Sequence, residues 1–316
     1  VGLTEENDEF DVILPGTNHL PGVCDWAHDI GGDGARRILS ALDSLGYFSV
    51  SVSEHLGMPH FEVERLGSYW QDTPTVMGFI AAATRTIRID TAILVLPYHH
   101  PLRLAKALAT IDVLSGGRVN ITVGVGHAEQ EFVALGVPFA ERGALTDEIL
   151  EALATLWADE APEHSGKYFD IRGLAIAPRP VQKPRPPIYV GGNSKPALRR
   201  AARHDGWQPN PVGLTVSEIP RRLDYLRSQP GFAGKERSFD VNWLKPPVGV
   251  EPAGGFTAAG PAQLRSYRDR LVEAYVEQYP ALGITRTSVE PPPGIGSAEE
   301  YLDFLRWFAT QVMPAV

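Results

Sequence analysis

Short β-rich apolar runs alternate with helix-period segments along nearly the whole chain, and this alternation restricts the fold more than any other feature. Runs at 10–14, 47–53, 87–96, 119–125, 187–190, 206–209, 239–244 and 284–289 read as strands. Between the first two, Ala35, Ile38, Leu39 and Leu42 recur at helical spacing and Gly46 ends the stripe, which makes one βαβ unit. Helical readings over 75–83, 101–114, 146–157, 196–203, 217–228, 261–279 and 298–313 continue the series. Strands separated by crossover helices pair in parallel. Eight of them favour a closed (β/α)8 TIM barrel, an α/β fold, over an open sheet.

The 316 residues exceed the roughly 250 that such a barrel uses, so one domain over 1–316 with insertions is expected. Two stretches stand outside the alternation: 160–186, with Pro178-Arg179-Pro180 near its end, and the Pro- and Gly-rich 246–260. Both read as excursions beyond the barrel. The first follows a helix, which points it to the end opposite the strand C-termini.

Charge and composition remove whole function classes. A net charge of -9 argues against a protein that tracks phosphate backbones, so nucleic acid is excluded as the main partner. Cys24 is the only cysteine, which rules out an intrachain disulfide and a thiolate metal cluster. No stretch reaches the roughly 20 apolar residues of a membrane span. The acidic start, residues 1–10, lacks the basic and apolar regions of a secretory signal. A cytoplasmic protein is expected, with a start upstream of Val1 left open.

In α/β barrels the reacting groups collect where strands end and βα loops begin. Here those places carry Pro15-Gly16-Thr17-Asn18-His19, Glu54-His55, Tyr98-His99-His100 and Gly126-His127. His55 suits proton transfer near neutral pH, or else caps its strand. Glu54, a second catalytic candidate, tunes it, lines the edge of a bound ring, or merely faces a neighbouring Arg. Glu131 reads as a helix-surface or wall residue rather than a ligand. Gly191-Gly192-Asn193-Ser194 leads into a helix with Pro196 in its first turn, an arrangement that binds phosphate but also occurs in ordinary βα turns. Lys195 and Arg199 add charge there, whereas Arg199 and Arg200 also fit a solvated helix face. Adjacent His99 and His100 point apart and no HExxH motif accompanies them, so no metal is expected. Trp26, His28, Trp70, Tyr98 and Trp243 line a substrate pocket for an aromatic or long apolar compound, or pack in the wall.

Ser53-Glu54-His55, the run TAILVLPYHHPLRLAKALATIDVLSGGRV (91–119), VGVGHAEQEFVALGVPFAERG (123–143) and PPIYVGGNSKPALRRAARHDGWQP (186–209) together resemble the luciferase-like flavin monooxygenases. The resemblance covers 10–209 and is nearest to the actinobacterial branch that uses coenzyme F420, a deazaflavin. It implies that His55 is the catalytic histidine, that a non-proline cis peptide at Ala92-Ile93 backs the cofactor ring, and that Gly191 to Ser194 hold its phosphate. Gly124 and Gly126 then offer bare backbone to a flat ring. His127 departs from the family, which places Arg, Glu or Trp there, and this leaves the cofactor's identity open. The implied activity is hydride transfer between F420 and a small organic substrate in a homodimeric enzyme. The alternatives are an FMN-dependent monooxygenase fed by a separate flavin reductase, and a flavin-binding protein without turnover.

Overall fold

The computed structural model describes residues 9–247, 249–252 and 254–316. Most of the acidic start, and positions 248 and 253 of the second excursion, lie outside these described residues. The strands are β1 (Glu9–Ile13), β2 (Ser49–Val52), β3 (Arg88–Thr91), β4 (Leu94–Val95) and β5 (Ile121–Gly124). A hairpin follows, β6 (His164–Ser165) and β7 (Asp170–Ile171), and then β8 (Ile188–Gly191), β9 (Gly206–Gln208), β10 (Asp240–Trp243) and β11 (Arg286–Ser288). Outside the antiparallel hairpin all pairings are parallel, in the order β3-β2-β1-β11-β10-β9-β8-β5-β4. Both ends of that order, β3 and β4, are halves of one strand interrupted at Ala92-Ile93. The sheet therefore closes on itself as an eight-stranded barrel. The closure is also hydrogen-bonded directly, Ile89 N–H to Arg118 at 2.9 Å and Asn120 N–H to Ile89 at 2.8 Å.

Helices stand between the strands as the periodicity requires. Helix Gly31–Leu45 buries Ile38, Leu39 and Leu42 and stops at Gly46, whose φ of 82° suits a residue without a side chain. Asp72, His100, Ser194 and Ser297 cap later helices with their side chains, each accepting a first-turn N–H. The long helix read over 261–279 is interrupted: Pro261–Glu273 passes into a π-helical turn, Ala274–Gln278.

Alternation along the strands divides the molecule into two cores. Phe10, Val12, Val50 and Val52 face the helices, where Phe10 meets Tyr275 and Phe308 edge-on at 5.0 Å. The intervening residues face the barrel axis and are polar. Asp11 accepts from Ser49 (2.6 Å), Asn242 (2.7 Å) and Arg286 (2.9 Å), while Arg286 also reaches Asp90 at 3.2 Å. The Arg286 guanidinium lies over the rings of Phe48 and Tyr189, at 4.7 and 4.9 Å.

The 160–186 excursion ends at the strand N-termini, where Gln182 accepts from Arg88 at 2.9 Å and donates to the Val119 carbonyl at 2.7 Å. It runs down the outside of the helical layer. At its upper part the Glu148 carboxylate accepts the backbone N–H groups of Lys167, Tyr168 and Phe169, and Phe169 meets His100 edge-on at 5.2 Å. At its lower part Asp112 binds the N–H groups of Val181 and Gln182. The two ends of helix Pro101–Ser115 are thereby fastened to one strap.

Candidate active site

Two carboxylate–imidazole pairs occupy the end of β2 and the strands beside it. His55 Nδ1 lies 2.9 Å from Glu131 Oε2. The other Glu131 oxygen accepts the N–H of Leu56 (2.6 Å) and of Gly57 (3.2 Å), and the Tyr98 hydroxyl donates to Oε2 at 2.9 Å. Burial pushes the Glu131 carboxyl up, but His55, the Leu56 N–H and Tyr98 outweigh it and hold the group below its ordinary range. Burial and Glu131 push the Tyr98 phenol far up, so it stays a donor. A carboxylate acceptor places the proton on Nδ1 of neutral His55 and leaves Nε2 to exchange protons at the mouth.

Of the two places expected for Glu131, a helix surface or the wall, the structure excludes the surface. The residue is buried in helix Glu129–Leu135 and links three strand ends through His55, the Leu56-Gly57 backbone and Tyr98. The available signal was an acid flanked by a buried-type pattern, with Phe132 next to it. An acid in a first helical turn also serves the helix dipole, so local sequence did not separate the two uses.

Glu54 forms the second pair. Its Oε2 accepts the N–H of Val95 at 2.6 Å and its Oε1 meets His99 Nε2 at 2.8 Å. Both oxygens are thus engaged inside the protein, and they tie β2 to the C-terminal, mouth side of the strand interruption. His100 turns elsewhere, its Nδ1 accepting the Leu102 N–H at 3.3 Å, so the two histidines diverge as their adjacency predicts.

The bond between Ala92 and Ile93 is cis. Beneath it, a side chain at Gly124 would run into Ile93 Cδ1, and a Cβ at Gly191 would lie 2.9 Å from Ile93 Cγ2. A Cβ at Gly126 would meet Val95 at 2.7 Å and Phe132 at 2.9 Å. The missing side chains at Gly124 and Gly126 thus make room for Ile93, Val95 and Phe132.

The turn after β8 has φ of 110° at Gly192, whose N–H donates to Gln208 at 3.1 Å. Asn193 and Asn210 exchange hydrogen bonds at 2.7 and 2.8 Å, and Ser194 Oγ accepts the Ala197 N–H at 3.3 Å. Arg222 donates to the Asn193 carbonyl at 2.6 Å, and its Nε is buried without a partner. Lys195 and Arg199 both reach Tyr225, as a cation over its ring at 5.5 Å and as a donor to its hydroxyl at 3.0 Å. Arg200, expected on a solvated face, is instead buried and bound to Asp147 at 2.9 and 3.0 Å.

Of the aromatic residues expected in a pocket, Trp70 stands edge-on to His55 at 4.6 Å and Tyr98 reaches the site through Glu131. His127 approaches the His55 ring at 5.5 Å, and burial, with His55 next, holds its imidazole below the ordinary range. Trp243 is a correction. Its neighbour Asn242 points into the barrel at Asp11, so Trp243 points outward and is buried in the helix-facing core. Trp26 packs on Tyr301, with ring centroids 5.2 Å apart. His28 stacks on His19 at 4.0 Å, and His19 on Tyr69 at 3.8 Å.

Comparison with known proteins places this architecture in a family. The model of the luciferase-like monooxygenases matches residues 16–281. An uncharacterised protein of Mycobacterium tuberculosis is 30% identical over 240 residues, 72% of this chain and 79% of that protein. The FMNH(2)-dependent dimethylsulfone monooxygenase of Pseudomonas putida is 31% identical over 174 residues, 54% of this chain and 47% of that one. The crystal structure of a monooxygenase from Streptomyces bottropensis superposes with a TM-score of 0.74 at 24% identity, covering 97% of this chain and 99% of that one. The coenzyme F420-dependent tetrahydromethanopterin reductase of Methanopyrus kandleri gives 0.68 at 17% identity, covering 98% and 99%. With a closed parallel barrel and a family match over most of its length, the chain belongs to the luciferase-like monooxygenase family.

Proposed function

We propose that this protein is an oxidoreductase that transfers hydride between coenzyme F420 and a small organic substrate at the C-terminal mouth of the barrel. The carrying observation is the buried Glu131 carboxylate on His55 Nδ1. That contact orients the ring, fixes its tautomer and stabilises the imidazolium that forms when Nε2 takes a proton. In the oxidising direction Nε2 accepts the hydroxyl proton of an alcohol, and in the reducing direction it returns one to the carbonyl oxygen. Tyr98 keeps Glu131 from turning away, since the same oxygen serves both.

The residues present fit such a cofactor. The Ala92-Ile93 bulge would back its ring. The Gly191-to-Ser194 turn would hold its phosphate, with the unpartnered Nε of Arg222 beside it. Lys195 and Arg199 supply the positive flank that an acidic tail requires. When bound, the deazaflavin supplies or accepts the hydride.

A second reading, an FMN-dependent monooxygenase that uses reduced flavin and oxygen and a separate reductase, is favoured by the identity with the dimethylsulfone enzyme. A non-catalytic flavin carrier has no use for a buried proton-transfer pair. The family resemblance also supports a homodimer, which sedimentation of the purified chain measures. Titration with F420 and with FMN, followed by a turnover screen of the tighter complex, separates the readings. Tighter binding of FMN with oxygen-dependent turnover would sink the hydride-transfer proposal.

A further inference from the structure

The loop after β2, residues 53–72, forms one wall beside His55, and three large apolar or aromatic side chains are exposed on it among the polar residues His60, Glu64, Arg65, Ser68 and Asp72. Leu56, Phe61 and Tyr69 are 49%, 72% and 45% exposed, and Trp70 stands at the His55 ring. Several large apolar groups exposed on one short loop next to a reacting group mark a recognition surface. The indole Nε1–H of Trp70 is buried without a partner, a donor that an acceptor oxygen satisfies.

Charge narrows the choice further. Arg65 is the only Lys or Arg between 53 and 72, and it is bound to Glu62 at 2.6 Å. The imidazoles of His127 and His19 are held below their ordinary range, by burial first and then by His55 and His28 respectively, so both are neutral near pH 7. Behind them lie the buried carboxylates Glu54 and Glu131. An anion placed at His55 meets negative charge with no free cation on this loop to balance it. The positive groups Lys195, Arg199 and Arg222 gather instead around the turn after β8 and its neighbouring helix.

We propose that this mouth selects neutral, flat, apolar alcohols or ketones, with their oxygen toward His55 Nε2, and discriminates against carboxylate and phosphate analogues of the same size. The inference rests on the reading of His55 as the proton-transfer group, but its test does not depend on which cofactor binds. Acetophenone, benzoate and phenyl phosphate share a ring and differ in charge. Their binding is measured by ligand-observed nuclear magnetic resonance and calorimetry on the protein alone, then with F420 or FMN added. The expected result is saturable binding of acetophenone, with benzoate and phenyl phosphate at least tenfold weaker. Trp70→Ala, checked for folding by circular dichroism, is expected to weaken acetophenone binding at least tenfold, and Trp70→Phe, which keeps a ring but lacks the N–H, to restore only part of it. Glu62→Gln, which frees Arg65, is expected to narrow the gap between benzoate and acetophenone. An anion binding as tightly as the ketone, a folded Trp70→Ala with unchanged ketone affinity, an unchanged gap in Glu62→Gln, or no saturable binding of the three compounds each overturns the proposal. Charge selection without any turnover would leave this inference standing while removing the hydride-transfer reading.

Discussion

The side chain of Ile93 occupies the space in which any residue other than glycine at position 124 would place its Cβ. The contact couples β5 to the interruption of the third barrel strand, so the shape of the bulge depends on an atom that position 124 lacks. Gly124→Ala is expected to displace Ile93 and to lower stability by about 1–3 kcal/mol, the usual range for overpacking. Cofactor affinity should fall with it, because the displaced group is the proposed backing of the ring. Gly78→Ala serves as the control: nothing lies within 4 Å of the added Cβ, and the position is inside helix Thr73–Ala83. It should be neutral or stabilising by up to ~1 kcal/mol. Equal melting temperatures for the two variants would remove the packing argument.

Arg286 holds Asp11 and Asp90 together on the barrel axis, and each of the three is buried. Burial lowers a guanidinium's affinity for its proton, but the attraction of Asp11 and its neighbours more than offsets this, and the group stays charged. Arg286→Met leaves two buried carboxylates without their cation. Urea unfolding should show a loss of about 3–5 kcal/mol, the scale for breaking a buried pair from one side. Adding Asp11→Asn should restore part of it, since the two changes share one interaction. Strictly additive losses would contradict the cluster.

Glu148 fastens the strap over the helical layer by accepting three consecutive backbone N–H groups. Burial raises its carboxyl, yet those bonds and His164 win, and its folded pKa lies below the ordinary glutamate range. A depressed carboxyl pKa contributes stability that is present above the unfolded value and disappears as pH falls through the folded one. Amide exchange in residues 164–171 should therefore accelerate below about pH 4.5, relative to the barrel strands. Glu148→Gln should show the faster exchange already at neutral pH. Exchange independent of pH across that window, after correction for intrinsic rates, would dissociate the strap from this carboxylate.

The strands were legible because each is a short apolar-rich run with a helix behind it, and the cis bond at Ala92-Ile93 was legible only through family resemblance. The polar barrel axis was written in the sequence too, as Ser49-Val50-Ser51-Val52 and Asp240-Val241-Asn242-Trp243 alternate, but alternation also describes a strand with one wet face. Trp243 was misplaced by its position alone: an aromatic near a strand end reads as pocket lining until Asn242 is known to point inward. Glu131 was illegible for a different reason. Its partner His55 lies 76 residues away and its own segment resembles an ordinary helix start. Contacts of that range are set by barrel closure, which single-element patterns do not encode.

His55 and Glu131 give the last prediction, because they separate the group that moves the proton from the group that holds it. His55→Ala should leave cofactor binding within a few-fold and reduce turnover by about 10²-fold or more, the usual loss for a positioned acid or base. Glu131→Gln keeps a carbonyl acceptor near Nδ1 but removes the charge, and its turnover should fall by ~10–100-fold, as for other residues that orient a reacting histidine. Glu131 ionises below its ordinary range, so wild-type turnover should survive acidification until the pH passes below about 4.5 as far as this carboxylate is concerned. The Gln variant has no such carboxylate to titrate and should lack that limb. The measurements are steady-state turnover across pH, cofactor titration, and a thermal melt for each variant. If Glu131→Gln turns over at the wild-type rate while remaining folded, the 2.9 Å contact is structural only, and His55 works without an orienting partner.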